Sequence, residues 1–215
     1  MRDFSLWMAT QRQINESWLK VFTPAEIVES AQDGNRKSNQ VLFVDVGGGI
    51  GYQSQALRSW LPLPLSDDIK IIFQDLPSVI SMAKFSVSGI QGMAHDFFTP
   101  QPVKEARFYY LRNVLHDFPD ISCISILKNI VPAMSNNSKI LIDELVLPQK
   151  IDSSSRCTEW ASYLDISVLA GNGGQERTRS SWEELATAAG LKVVDCRQYG
   201  RIGNSVLILE KEQIA

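Results

Sequence analysis

Two histidines and three cysteines are all that this 215-residue chain carries of those two types. Cys123, Cys157 and Cys196 lie far apart, are odd in number and form no CxxC or Cys/His cluster. That pattern argues against a zinc site and against a disulfide framework. Reduced thiols suit a cytoplasmic protein, which is the expected compartment. An excess of basic charge is lacking too, since 21 Lys and Arg stand against 24 Asp and Glu, a formal net charge of −3. No basic stripe is available to neutralise phosphates, so nucleic acid is not an expected partner. Long apolar runs are also missing. The first thirty residues, MRDFSLWMATQRQINESWLKVFTPAEIVES, contain no unbroken apolar segment, and neither a signal peptide nor a membrane anchor is expected. What is present is an ordinary globular mixture, 44% hydrophobic and 21% charged, in a length that suits one domain with a sizeable core.

Periodicity divides the chain at about residue 40. Phe4, Trp7, Met8, Ile14, Trp18, Val21 and Phe22 recur at helical spacing, which predicts one or two amphipathic helices, and the polar AQDGNRKSNQ then serves as a linker. From there short apolar runs alternate with helical patterns. Strands are predicted at 41–46, 70–74, 90–94, 107–112, 139–145, 191–198 and 205–210, and helices near 51–60, 77–84, 120–134, 156–170 and 181–189. The last helix has Ser180 and Ser181 at its start and Gly190 just past its end. Runs apolar on both faces, alternating with helices, mean a mostly parallel sheet covered on each side. The final two strands, separated only by YGRIGN, should form an antiparallel hairpin. The expected fold is a doubly wound α/β domain over 41–215 with a seven-stranded sheet.

The stretch VLFVDVGGGIG at 41–51 ends the first strand in four glycines over five positions. In such a sheet ligands sit beyond the carboxyl ends of the strands, and glycine lets them approach the main chain. The spacing does not fit GxGxxG, because Tyr52 and Ser54 occupy the positions that would need glycine, and no GK[ST] follows. What stands there is Asp45 inside the strand, then Gly47, Gly49 and Gly51. An acid so close to the turn would repel a pyrophosphate and suits a cationic or amine-bearing ligand.

Later strand tips extend the pattern. Asp75 of QDLP, 24 residues after Gly51, is placed to accept from both hydroxyls of a ribose. Asp96 and Phe97 of HDFF suit an adenine, the acid on the amino group and the ring on the face. A tight turn for the glycines and a helix cap for either acid are alternative readings of each feature alone. Together, three successive strand tips describe a nucleoside site without phosphate machinery.

VDVGGGIG, QDLP, HDFF, LRNVLHD, LIDELVLP and GNGGQERT, in that order, resemble the metal-independent S-adenosylmethionine O-methyltransferases of plants and fungi. The likeness covers about residues 1–211. It implies S-adenosylmethionine as methyl donor and a hydroxyl of a small aromatic or polyketide molecule as acceptor. By the same likeness Gly47, Asp75, Leu76, Asp96, Phe97 and Arg112 touch the cofactor. Arg112 stands where plant members commonly have lysine, which keeps the charge and changes the donor geometry.

Methyl transfer from a sulfonium is an in-line displacement in which the enzyme aligns the centres and takes a proton from the acceptor. A phenol titrates at about 10, so an imidazole held against it is a natural base. His116, beyond the fourth strand, matches the family's catalytic base, and Glu144 and Glu176 match the two acids that flank it. An acid on one imidazole nitrogen sets the tautomer and leaves the other for the substrate. Trp7, Met8, Trp160, Leu164, Val168 and Asn172 lie on helices expected over the acceptor pocket, and each is equally explained as helix core.

Two departures accompany the resemblance. The family usually carries a further helical, winged-helix-like region at the amino end that dimerises and closes the partner's pocket, and the resemblance implies that this chain lacks it. The exposed apolar faces expected around Trp7 and Trp18 would then need a homodimer or other partner. Phe118 also replaces the family's usual tryptophan after His-Asp. Two rival functions share the cofactor site: a methyltransferase-fold cyclase or pericyclase, and a catalytically silent cofactor-binding partner. Retention of His116, Glu144 and Glu176 together favours methyl transfer.

Overall fold

A computed structural model describes residues 17–29, 41–62, 69–83, 88–149, 156–200 and 203–212. A 3-10 turn at Trp18–Val21 leads to α1 (Pro24–Glu29). The alternating body follows: β1 (Val41–Val46), α2 (Tyr52–Trp60), β2 (Lys70–Asp75), the single turn α3 (Pro77–Ile80), β3 (Ile90–Ala94) and β4 (Phe108–Arg112). Then come α4 (Asp120–Ile130), β5 (Lys139–Leu147), α5 (Arg156–Asn172), the two-residue β6 (Arg177–Thr178), α6 (Arg179–Ala188), β7 (Leu191–Gln198) and β8 (Asn204–Lys211). The sheet runs β3-β2-β1-β4-β5-β8-β7, with β6 beside the end of β5. The first five strands in that order are parallel, and β8 and β7 return antiparallel. Doubly wound and mostly parallel, with a closing hairpin, it matches the expected fold. The eighth strand was not predicted.

Strand parity separates two cores, because neighbouring residues face opposite sides. Val44, Val46, Tyr109, Leu111, Ile140 and Ile142 pack with Ile126, Leu127, Trp182 and Leu185 on the side of α4 and α6. Phe43, Tyr110 and Leu141 pack with Leu57 and the amino-terminal segment on the other side. Trp18 is fully buried there, 4.8 Å from Tyr110 and stacked at 5.8 Å on Phe43, with its Nε1 donating to Gln53 Oε1 at 3.1 Å. The exposed face expected at Trp18 is therefore not found. The sheet's own aromatic side chains cover the indole, and a glutamine satisfies its N–H. Trp7, Met8 and the linker lie outside the described residues.

Chain order reverses direction at β1. Going through β2 to β3 fills one side, and β4 and β5 fill the other. A crevice beyond the carboxyl ends of β1 and β4 follows from that reversal. The hinge into it from β4 is Asn113, held at φ 49°, a left-handed conformation that asparagine tolerates better than most residues.

Candidate active site

The glycine loop after β1 is shaped from beneath. Asp45 is buried, accepts a hydrogen bond from the Ser54 hydroxyl at 3.1 Å, and lies so close under Gly48 that a Cβ there would meet its carboxylate at 2.6 Å. Gly47, at φ 69°, would bring a Cβ to 2.8 Å from Val114. Both main-chain positions must be bare. Gly51, also left-handed, starts α2 with no side-chain cap. Asp45 thus buttresses the loop from beneath, a role the sequence pattern did not separate from ligand contact.

Asp75 reaches back from the tip of β2 and accepts from Gly49 N through one oxygen and from Leu76 N through the other, each at 2.8 Å. A carboxylate oxygen has lone pairs beyond one such bond, so two hydroxyls can still be received. Leu76 is half exposed beside it. Asp96 is exposed and accepts from Phe98 N at 2.9 Å. Phe97, Phe98 and Phe118 form a cluster of rings with centroids 5.1 to 5.8 Å apart. Phe97 also lies against the loop, 3.5 Å from where a Cβ on Gly47 would stand.

Arg112, at the tip of β4, is buried against Asp143 at 3.4 Å, and its Nε has no hydrogen-bond partner. Asp143 also receives the hydroxyls of Tyr110 and Tyr199 at 2.5 and 2.6 Å. Burial holds the Asp143 carboxyl above the usual carboxylate range, against the opposing pull of Arg112 and the two phenols.

Residues 115–117 form a 3-10 turn that carries His116, whose side chain is 18% exposed. Its Nδ1 lies 3.0 Å from Glu176 Oε1 and 3.7 Å from Glu144 Oε2. Glu144, the residue after Asp143 on β5, projects to the opposite face, where its other oxygen accepts from Val114 N and Leu115 N at 2.9 and 3.0 Å. The two acids therefore divide the work. Glu176 bonds the imidazole, whereas Glu144 holds the turn and adds its charge. Asp117 Oδ1 stands 3.6 Å from Nε2 and accepts from Asn172 Nδ2 at 2.6 Å. Burial by itself would lower the imidazole pKa, but Glu144 and the Glu176 bond push it up to about 9. Burial raises Glu144 to about 7, against the pull of His116. A histidine NMR titration of the chain alone should therefore find His116 still protonated at neutral pH, with His95, lowered by burial, losing its proton first. An ordinary midpoint for His116 would refute the pairing.

α5 lies along this turn. Its Asp165 accepts from Glu176 N at 2.8 Å and its Asn172 reaches Asp117, so both ends of the histidine's surroundings are tied to one helix. Leu164 and Val168 are half-buried on it. The backbone of Trp160 belongs to the same helix, but its side chain lies outside the description. The structure thus gathers His116, Glu144, Glu176 and Asn172 into one cluster, and Asp75, Gly47, Gly49 and Phe97 into the adjoining crevice. Ser54, Asp165 and Arg177 take part without having been predicted. Arg177 follows Glu176 in the sequence, and an arginine directly after a predicted acid was the available signal.

Residues 27–192 match the family model described as an O-methyltransferase domain. The chain belongs to that family. As an O-methyltransferase domain it is 43% identical over 172 residues to the demethylsterigmatocystin 6-O-methyltransferase of Aspergillus flavus, covering 79% of this chain and 42% of that protein. It is 42% identical over 172 residues to the stcP demethylsterigmatocystin 6-O-methyltransferase of Emericella nidulans, covering 80% of this chain and 79% of that protein. A solved structure of LepI in complex with SAM superposes on the domain with TM-score 0.79 at 37% identity, over 91% of this chain and 48% of that one. The domain thus spans about half the length of several relatives it matches, 42% of the A. flavus protein and 50% of its A. parasiticus counterpart. Among the described residues no helix is long and apolar enough to cross a membrane.

Proposed function

We propose that residues 41–215 form an S-adenosylmethionine-binding catalytic unit that methylates a hydroxyl of a small aromatic or polyketide molecule, with His116 as general base. The observation that carries this reading is the His116 imidazole, pinned through Nδ1 by Glu176 with Nε2 left on the other edge of the ring. The bare glycine loop and Asp75 fit a nucleoside, and the sulfur compound, when bound there, supplies a methyl group already activated by positive charge. Solved relatives in complex with SAM and with SAH support that donor.

Three carboxylates around one imidazole, those of Glu176, Glu144 and Asp117, favour its charged form, which cannot accept a proton. A cation held in the adjoining crevice would act against that preference, because positive charge near an imidazolium lowers its pKa. The Nε2 of His116 takes the acceptor's proton, Glu176 stabilises the resulting imidazolium, and Glu144 keeps the turn in register.

Incubating the chain with isotopically labelled donor and a panel of phenols should yield methylated product by mass spectrometry. The chain carrying the additional region of its longer relatives should be run in parallel. Donor binding without methylated product in either form would reject the proposal. A second reading, rearrangement without transfer, is favoured by the likeness to a solved structure described as a pericyclic reaction enzyme, with TM-score 0.80 and 36% identity. It would appear as an isomer of unchanged mass.

A further inference from the structure

The guanidinium of Arg177 is buried, its side chain only 1% exposed, and it lies beneath the base rather than against any reacting atom. Its Nη1 donates to Leu115 O at 3.1 Å and to Gln175 O at 3.2 Å. Its Nη2 donates to Phe118 O at 2.8 Å and to Asp120 Oδ1 at 2.7 Å, and Nε reaches the same Asp120 oxygen at 2.9 Å. The plane sits over the Trp182 ring at 5.1 Å. Leu115 and Phe118 bracket His116 on its 3-10 turn, whereas Gln175 adjoins Glu176. One rigid fork therefore holds both segments that meet at the Nδ1–Oε1 bond.

Main-chain contacts between the same segments run parallel to it. Gln175 N donates to His116 O at 2.9 Å, and Gly174 packs so closely that a Cβ would stand 1.9 Å from that oxygen. The Cys123 thiol also reaches Leu115 O at 3.1 Å and Phe118 O at 3.4 Å, but Arg177 holds both of these carbonyls and Gln175 O on the other segment as well. Pairing with β5 at Val146 fixes where Arg177 itself stands.

We propose that Arg177 is a positioning residue, which sets the distance between His116 and Glu176 by clamping the 115–118 turn to the 174–177 segment. The inference rests on the reading of His116 as the base. Lysine keeps the charge but offers a single compact ammonium, which cannot bridge carbonyls on two segments. Substitution should therefore lengthen the His116–Glu176 contact without changing the net charge nearby.

The charged groups facing the imidazole are Glu176 before β6, Glu144 from β5 and Asp117 on its own turn. Behind them stand Asp165 on α5, bonded to Glu176 N, and Asp120 on α4, paired with Arg177. All are retained in Arg177→Lys, so a change in titration reads geometry. With only two histidines in the chain, carbon-13 histidine NMR resolves each, and His116→Ala assigns them.

In Arg177→Lys the His116 midpoint should fall by about one pH unit from its raised value, since losing a close charge partner has that scale of effect. His95 should not move. A folded Arg177→Lys chain with an unchanged His116 midpoint would overturn the proposal, because a role in folding alone lowers the unfolding temperature and leaves the midpoint in place. If that chain does not fold, Arg177→Gln decides. Loss of a nearby cation by itself raises the midpoint, so a fall there still reports displacement, and a rise or no change overturns it. Full methyl-transfer rate in His116→Ala would instead remove the base reading, and the titration would stand independently.

Discussion

Replacing His116 by alanine should cut methyl transfer by about 10²- to 10⁴-fold, the usual contribution of a positioned general base. Donor affinity should stay within a few-fold, since the glycine loop, Asp75 and Phe97 stand on other strand tips. Alanine also leaves Glu144 and Glu176 buried with no imidazolium between them, and stability would fall for that reason alone. His116→Gln separates the two effects. An amide can donate to Glu176 but cannot take up a proton, so a folded His116→Gln chain should bind donor and turn over no faster than the alanine chain. Labelled-donor turnover read beside calorimetric donor binding checks both. A full-rate alanine variant would remove His116 from the chemistry.

Asp75→Ala should act on the opposite quantity. It removes the carboxylate proposed to receive the ribose hydroxyls and the acceptor that ties Gly49 N and Leu76 N together. Losing a charged hydrogen bond costs about 1–3 kcal/mol, which corresponds to a roughly 5- to 150-fold weaker dissociation constant for the donor. Asp75→Asn keeps one acceptor oxygen and should fall between. The rate at saturating donor should change far less than the affinity. Unchanged calorimetric affinity in Asp75→Ala would reject the ribose assignment.

How much of this was legible beforehand depended on range. β1, β3 and β7 have the predicted limits, β1 because an apolar run bounded by polar and glycine residues defines a buried strand locally, whereas β3 and β7 stay largely half-exposed. β6 was not legible, since two residues carry no periodicity and it exists only through pairing with Val146 and Leu147. The last predicted helix begins two residues early. Thr178, rather than Ser180 or Ser181, caps it by accepting from Ser181 N. The meeting of His116 with Glu144 and Glu176 could be read from their motifs, but the division of labour between the two acids could not, because both look alike in sequence. Trp18 was misjudged for a related reason. Its helical spacing announces an apolar face, but what covers that face is Phe43 and Tyr110, which lie far along the chain.

β5 carries a constraint of its own. Asp143 and Glu144 are sequence neighbours that serve opposite faces, one fastening two phenols and Arg112, the other fastening the histidine's turn. Sliding β5 by a single position would exchange them, since side-chain direction inverts with each residue. A one-residue deletion within that strand should therefore disable both networks together, whereas a two-residue deletion preserves the alternation. Natural variation in the length of β5 is accordingly expected to occur in even steps.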